Sequence, residues 1–306
     1  MMLNEQKFGV EIEMTGITRK QAANIVAKAL NSTSSEPDGS GYHTRKIKDS
    51  SRRIWKVMRD SSIYPRTKTG SAEDEYRVEF VTPPLKYKDI ELLQQIVRDL
   101  RSAGAMTNDS CGIHIHVDGA NHNPQSLRRL VNFMIARQDL IYEALEIGDR
   151  ANRWCKKLST NLFTEMKKDK ELSREKIETI WYSRNNDNYY GGIDHRHYND
   201  TRYHGINLHS YFSKKTVEFR LFNSTLHAGK IKAYVQFCLA LSAWAIESDD
   251  HIVFRSMAGY TAQQKVTIMR NILTQRLGLS GEEFKTCRLH IMTPLKKKAA
   301  EAQAAA

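Results

Sequence analysis

Cysteine is scarce in this 306-residue chain, and Cys111, Cys155, Cys238 and Cys287 are scattered with no Cys-x-x-Cys pair. That spacing excludes a zinc-ribbon site and a disulfide framework; the four read as reduced, buried thiols of a cytoplasmic protein. Long apolar runs are absent too. The longest stretch free of charge, residues 233–246, falls short of the roughly 20 residues that span a bilayer. It reads as a buried core helix, so no membrane contact is expected. Residues 1–14 lack a basic segment leading into an apolar one, which argues against a secretory leader. No fixed-period repeat and no Pro/Gly/Ser-rich linker divides the chain. One domain over residues 1–290 is therefore expected, with a flexible tail at 291–306, and the length suffices for a core without staples.

What is present begins with charge. There are 47 Lys plus Arg against 35 Asp plus Glu, so the net charge is +12 at pH 7. The excess is concentrated between residues 42 and 69, where Arg45, Lys46, Lys48, Arg52, Arg53, Lys56, Arg59, Arg66 and Lys68 face only Asp49 and Asp60. Such a segment can hold a polyanion by counterion release, or a nucleotide's phosphates, or can be a solvated basic edge. No aromatic-basic motif of a nucleic-acid-binding module accompanies it.

Hydropathy patterning predicts alternating strands and helices. Phe8, Val10, Ile12 and Met14 alternate with Gly9, Glu11 and Glu13, which is a half-buried strand. Thr18 caps a predicted helix to Leu30. Residues 55–59 and 76–81 read as strands, the second stopped by Pro83-Pro84. An amphipathic helix covers 89–102, a strand 112–118, and Asn123-Pro124 opens a helix to about residue 147. Two helical stretches fill 150–184, residues 205–211 and 216–223 form a hairpin, and 228–248 is the apolar helix. Residues 31–42 and 185–202 read as loops, the first rich in Ser and Gly, the second in Asn, Tyr, Gly and His. The fold class is α+β, a mainly antiparallel sheet with helices on one face.

Alternate side chains of a strand share a face, so each strand can be read for what it turns away from the core. The first presents Glu11 and Glu13, the strand before Pro83 presents Glu75, Arg77 and Glu79, residues 112–118 present His114, His116 and Asp118, and the last presents Glu218 and Arg220. An ordinary wet sheet face carries Glu, Arg and Lys too, but mixed with Thr, Ser and Gln. Like charges at adjacent same-face positions repel, and a divalent cation removes that cost. Several carboxylates with one imidazole suit Mg²⁺ or Mn²⁺ better than Zn²⁺, and arginines beside them suit phosphate. The chain has no Gly-x-x-x-x-Gly-Lys-Ser/Thr loop, no kinase-type glycine loop and no Gly-x-Ser-x-Gly elbow. Any nucleotide must be held by the sheet itself. Cys111, beside Gly112 at a strand start, reads as a structural thiol rather than a nucleophile.

Six blocks in order resemble the amidoligase family. They are Phe8-Gly9-Val10-Glu11-Ile12-Glu13; Trp55 to Ile63, ending Asp60-Ser61-Ser62-Ile63; Val78 to Leu85; Ser110 to Asp118, with its Gly-x-His-x-His-Val core; Arg202 to Leu208; and Thr216 to Phe222. Ser61 stands where that family usually has Gly, and Thr82 where it usually has Ser. The resemblance implies the catalytic fold of glutamine synthetase and glutamate–cysteine ligase, an antiparallel sheet cupped around ATP and Mg²⁺. By similarity, Glu11, Glu13, Glu79, His114 and Glu218 are metal ligands, and Asp60 joins them or binds substrate. His116, Arg202 and Arg220 contact ATP phosphates or an acyl phosphate. The implied reaction joins a small-molecule or peptide carboxylate to an amine through that acyl phosphate, with Asp60, His195 or His197 as candidate general bases. Two alternatives stay open: ligation onto a modified nucleobase or other polyanion, and an idle nucleic-acid- or partner-binding protein on the same fold.

Overall fold

The computed structural model describes residues 3–168, 171–249, 252–254 and 256–305. Of the expected elements, Asp169 and Lys170 in the helical span 150–184, Met1 and Met2 at the start and Ala306 at the end lie outside the described residues. In chain order the strands are β1 (Phe8–Met14), β2 (Arg45–Lys48), β3 (Ile54–Met58), β4 (Arg66–Thr67), β5 (Gly70–Ser71), β6 (Val78–Val81), β7 (Gly112–Asp118), β8 (Ile206–Asn207) and β9 (Thr216–Asn223). The helices are α1 (Arg19–Ala29), α2 (Ile90–Ser102), α3 (Pro124–Ala144), α4 (Thr160–Lys168), α5 (Arg174–Trp181), α6 (His209–Lys214), α7 (Ala228–Glu247), α8 (Ala262–Asn271) and α9 (Lys285–Ala304). Among the described residues, seven strands form one sheet in the order β2-β3-β6-β1-β7-β9-β8. The pairs β2–β3, β3–β6, β6–β1 and β8–β9 are antiparallel. The class is α+β, as the alternation of patterns predicts.

The chain divides into two compact units, Lys7–Ile115 with Phe222–Val235, and Met1–Gln6 with His116–Leu221 and Gln236–Ala306. In the first unit, Val10, Ile12, Met14, Ile47, Trp55, Val57, Val78 and Phe80 are all but fully buried. Helix α1 packs against β2, β3 and β6, and against α2. Thr18 caps α1 as expected: its hydroxyl accepts the Gln21 N–H while the Gln21 side chain takes the Thr18 N–H. Trp55 stacks on Phe80 at 5.9 Å between ring centroids.

In the second unit, Asn123 caps α3 in a reciprocal pair with Ser126, and Pro124 sits in the first turn. Two expectations change here. Residues 209–211, assigned to a hairpin strand, open helix α6 instead; β8 is only Ile206–Asn207, and Lys215 at φ +61° ends the helix. Residues 291–304, read as a tail, continue α9 and bury Ile291, Met292, Leu295 and Ala299. Lys and Ala at its exposed positions are strong helix formers, so low sequence complexity had concealed a packed face.

Candidate functional site

The first unit gathers five of the residues singled out from the sequence. In the β1–β6 ladder Glu13 lies directly opposite Glu79, so two carboxylates share one face. Glu13, Glu79 and His114 are only 4–8% exposed. The wet-face reading fails for these positions. His114 Nδ1 lies 3.0 Å from Glu11 Oε2, and its Nε2 lies 3.9 Å from Glu13 Oε1. The Gly112 N–H donates to Glu13 Oε2, so the start of β7 fixes one carboxylate of β1. One ligand atom each from Glu11, Glu79 and His114 lie within 4.8 Å of one another, and the same holds for Glu13, Asp60 and Glu79. Hard carboxylate oxygens around one imidazole form a donor set that fits Mg²⁺ or Mn²⁺. A cation there would offset the repulsion that pairing Glu13 against Glu79 creates.

Asp60 reaches this group from a turn. Its Oδ1 accepts the Ser62 N–H and hydroxyl, both at 2.7 Å. Ser61 does not occupy the left-handed region, so this turn needs no glycine. Arg77 holds the turn from below: its Nη1 donates to the carbonyls of Ser61 and Ile63, and its Nε lies 3.2 Å from Asp74 Oδ1. Asp74 also pairs with Arg19 and Arg59, and burial, which opposes ionisation, is outweighed by those arginines, so its pKa is lowered. Arg77 is thus a support rather than a phosphate contact. Glu75, expected beside it on a strand, lies exposed in a 3₁₀ turn over Asp74–Tyr76, because β6 starts only at Val78. Thr82 supplies the hydroxyl its position calls for by accepting the Val10 N–H at 2.9 Å.

The second unit holds the remaining candidates. Glu218 and Arg220, two apart on β9, are 4% and 5% exposed and joined by an ion pair of 2.6 Å. The other Glu218 oxygen accepts from Asn207 Nδ2 at 2.6 Å, and Asn207 stands opposite Glu218 in the β8–β9 ladder. Gly205 brings that strand close: a Cβ there would lie 2.3 Å from Tyr142 Oη. His116 Nδ1 lies 3.0 Å from the Thr216 hydroxyl. Arg202 Nη1 donates to the His197 carbonyl, and its guanidinium lies over the Tyr198 and Tyr203 rings. His195 Nε2 lies 2.6 Å from Glu178 Oε1 at the surface. His209 hydrogen-bonds the Tyr182 hydroxyl; burial, then Arg202, push its pKa down to about 4.

Asn207 is a residue of the site that the strand pattern does not single out. Asn207 stands in the Arg202 to Leu208 block, and only its register against Glu218 gives it a role. Arg77 had been grouped with Glu79 by period alone. Cys111 is buried at the start of β7, as a structural thiol should be. Among the described residues no helix is long and apolar enough to cross a membrane.

A family model described as "Putative amidoligase enzyme" matches residues 4–242. A search of the curated proteins returns no match.

Proposed function

We infer the function from one premise: the chain belongs to the amidoligase family. We propose that it is an ATP- and Mg²⁺-dependent carboxylate–amine ligase with a glutamine synthetase-like catalytic fold. The observation that carries this reading is the gathering of Glu11, Glu13, Asp60, Glu79 and His114 in one unit. In the proposal Glu11, Glu13, Glu79 and His114 hold the cation, while Glu218, a ligand by family resemblance, holds Arg220 and Asn207 in the second unit. When bound, Mg²⁺ supplies positive charge that offsets charge developing on the transferring phosphoryl group.

The substrate carboxylate takes the γ-phosphoryl group of ATP, giving an acyl phosphate and ADP. The amine then attacks the acyl carbon, phosphate leaves, and a base accepts the amine proton. Arg220, held in orientation by Glu218, and Arg202, held by the His197 carbonyl, are assigned to the phosphate oxygens, with His116 beside them. Asp60 is the preferred base because it stands among the carboxylates, whereas His195 is engaged with Glu178 at the surface. The test is ADP formation with pooled acids and amines, followed by mass analysis of the amide. Release of ADP that requires both an acid and Mg²⁺ supports the reading; no ADP with any acid and amine rejects it.

A further inference from the structure

Three lysines occupy the same sheet face as the carboxylates. Cross-strand partners point to one face, and the ladders place Lys46 opposite Lys56, Lys56 opposite Val81, and Val81 opposite Glu11. Lys48, two residues from Lys46, shares that face. All three ammonium groups are on exposed side chains, and none forms an ion pair among the described residues. By contrast, three arginines of the same basic segment are satisfied: Arg45 pairs with Glu36, Arg53 with Asp49 and Asp89, and Arg59 with Asp74.

Lysines on an edge strand ordinarily deter strand addition. That explanation does not suffice here. The outer edge of β2 is already covered: Lys46 donates its N–H to the Ser35 hydroxyl, its carbonyl accepts the Ser35 N–H, and the Lys48 carbonyl accepts the Ser32 hydroxyl. Lys56, moreover, lies on β3, an inner strand. Two like charges directly opposite each other destabilise a ladder, and an anion seated between them removes the cost.

We propose that Lys46 and Lys56, with Lys48, form a subsite for the second anionic group of an acidic peptide whose reacting carboxylate lies at Glu11 and its neighbours. The proposal rests on the ligase reading only in making that peptide a substrate. Two strand spacings separate β3 from β1, on the order of 10 Å, which about three residues of extended peptide span. Peptide is favoured over nucleic acid because this face of β2 and β3 offers Lys46, Lys48, Ile54, Lys56 and Met58, with no aromatic ring to stack a base. Trp55, the aromatic residue of β3, is buried on the opposite face against Phe80.

The test is calorimetric titration of the full chain at low salt with hexaglutamate, with hexaglutamine, and with a six-nucleotide oligothymidylate. Hexaglutamate is expected to bind, more weakly as salt rises, and hexaglutamine not to bind. Lys46→Gln/Lys56→Gln should lower hexaglutamate affinity by roughly tenfold, whereas Lys20→Gln/Lys28→Gln, an equal loss of charge on exposed positions of α1, should change it less than about twofold. Thermal melts check that both variants fold. Equal losses in the two variants, no hexaglutamate binding, or tighter binding of the oligothymidylate would each overturn the subsite. Lysine-dependent hexaglutamate binding without ADP formation would keep the subsite and reject the ligase. ADP formation from monocarboxylic acids, with an acid KM insensitive to Lys46→Gln/Lys56→Gln, would keep the ligase and reject the subsite.

Discussion

In the unit of residues 7–115 and 222–235, acid is set against acid: Glu13 faces Glu79 across a ladder, with Glu11 and Asp60 close by. In the other unit acid is set against base: Glu218 accepts from Arg220 and from Asn207. The pairs Glu13–Glu79 and Glu218–Arg220 are both buried on sheet strands, but the second is neutralised within the fold. A buried ion pair whose donors and acceptors are matched can be a fixed part of the protein. A buried carboxylate pair stores repulsion that a cation relieves, so it is the natural place for a ligand. In the proposed ligase the first group holds the metal, and the second positions a guanidinium.

The largest effect should come from removing the acid pair. Glu13→Gln/Glu79→Gln should lower ADP formation by at least about 10⁴, equivalent to about 5 kcal/mol of lost transition-state stabilisation. Without metal, its melting temperature should equal or exceed that of the unaltered chain, because a buried like-charge contact is gone. A steep loss of stability in metal-free buffer would break the contrast.

Glu218→Gln should behave oppositely. It leaves the Arg220 guanidinium buried without its carboxylate, which costs about 3 kcal/mol or more. Urea unfolding at pH 7 measures this, and a midpoint matching that of the unaltered chain would show that the pair is not structural.

Acid sharpens the comparison, because the second unit also buries neutral histidines. His122 bridges Ser126 and Ser242, and Ser242 in turn donates to Gln6. Burial, then Arg129, depress the His122 pKa to about 4 from an ordinary 6.5. Above pH 6.5 both the folded and unfolded states leave this ring neutral, so it contributes no pH dependence. Below 6.5 the unfolded chain takes up the proton first, and stability falls until pH reaches about 4. At pH 5 the loss from His122 should be about 2 kcal/mol. Urea midpoints at pH 7 and pH 5 should therefore differ less in His122→Gln than in the unaltered chain; an equal difference would remove His122 from the account.

The smallest effect tests the support beneath Asp60. Arg77→Leu deletes the donors to the Ser61 and Ile63 carbonyls and should cost about 1–2 kcal/mol. Mn²⁺ titration should show weaker binding, and Arg77→Lys should restore part of it. Full stability recovery by Lys with no change in Mn²⁺ affinity in either variant would leave Arg77 without influence on the carboxylates.

Local pattern was enough to find much of this. Alternation placed β1 and β7 at their observed limits, and the Thr18 and Asn123-Pro124 signals located the starts of α1 and α3. Local pattern failed where two structures share one signature. Residues 209–211 suited a strand or a turn of helix, and 291–304 suited a frayed tail or the outer face of a packed helix.

Chemical character was therefore set by the sequence: which residues are acidic, which share a strand face, and which six blocks mark the family. Partnership was decided by the tertiary structure. A period of two determines the face a residue occupies, but says nothing about which strand lies beside it or in what register. Register set Glu13 against Glu79, Lys46 against Lys56, and Asn207 against Glu218. The same acidic and basic letters thereby became a buried carboxylate cluster, a lysine stripe and a self-neutralised pair, because Coulomb energy depends on separation and burial rather than on composition.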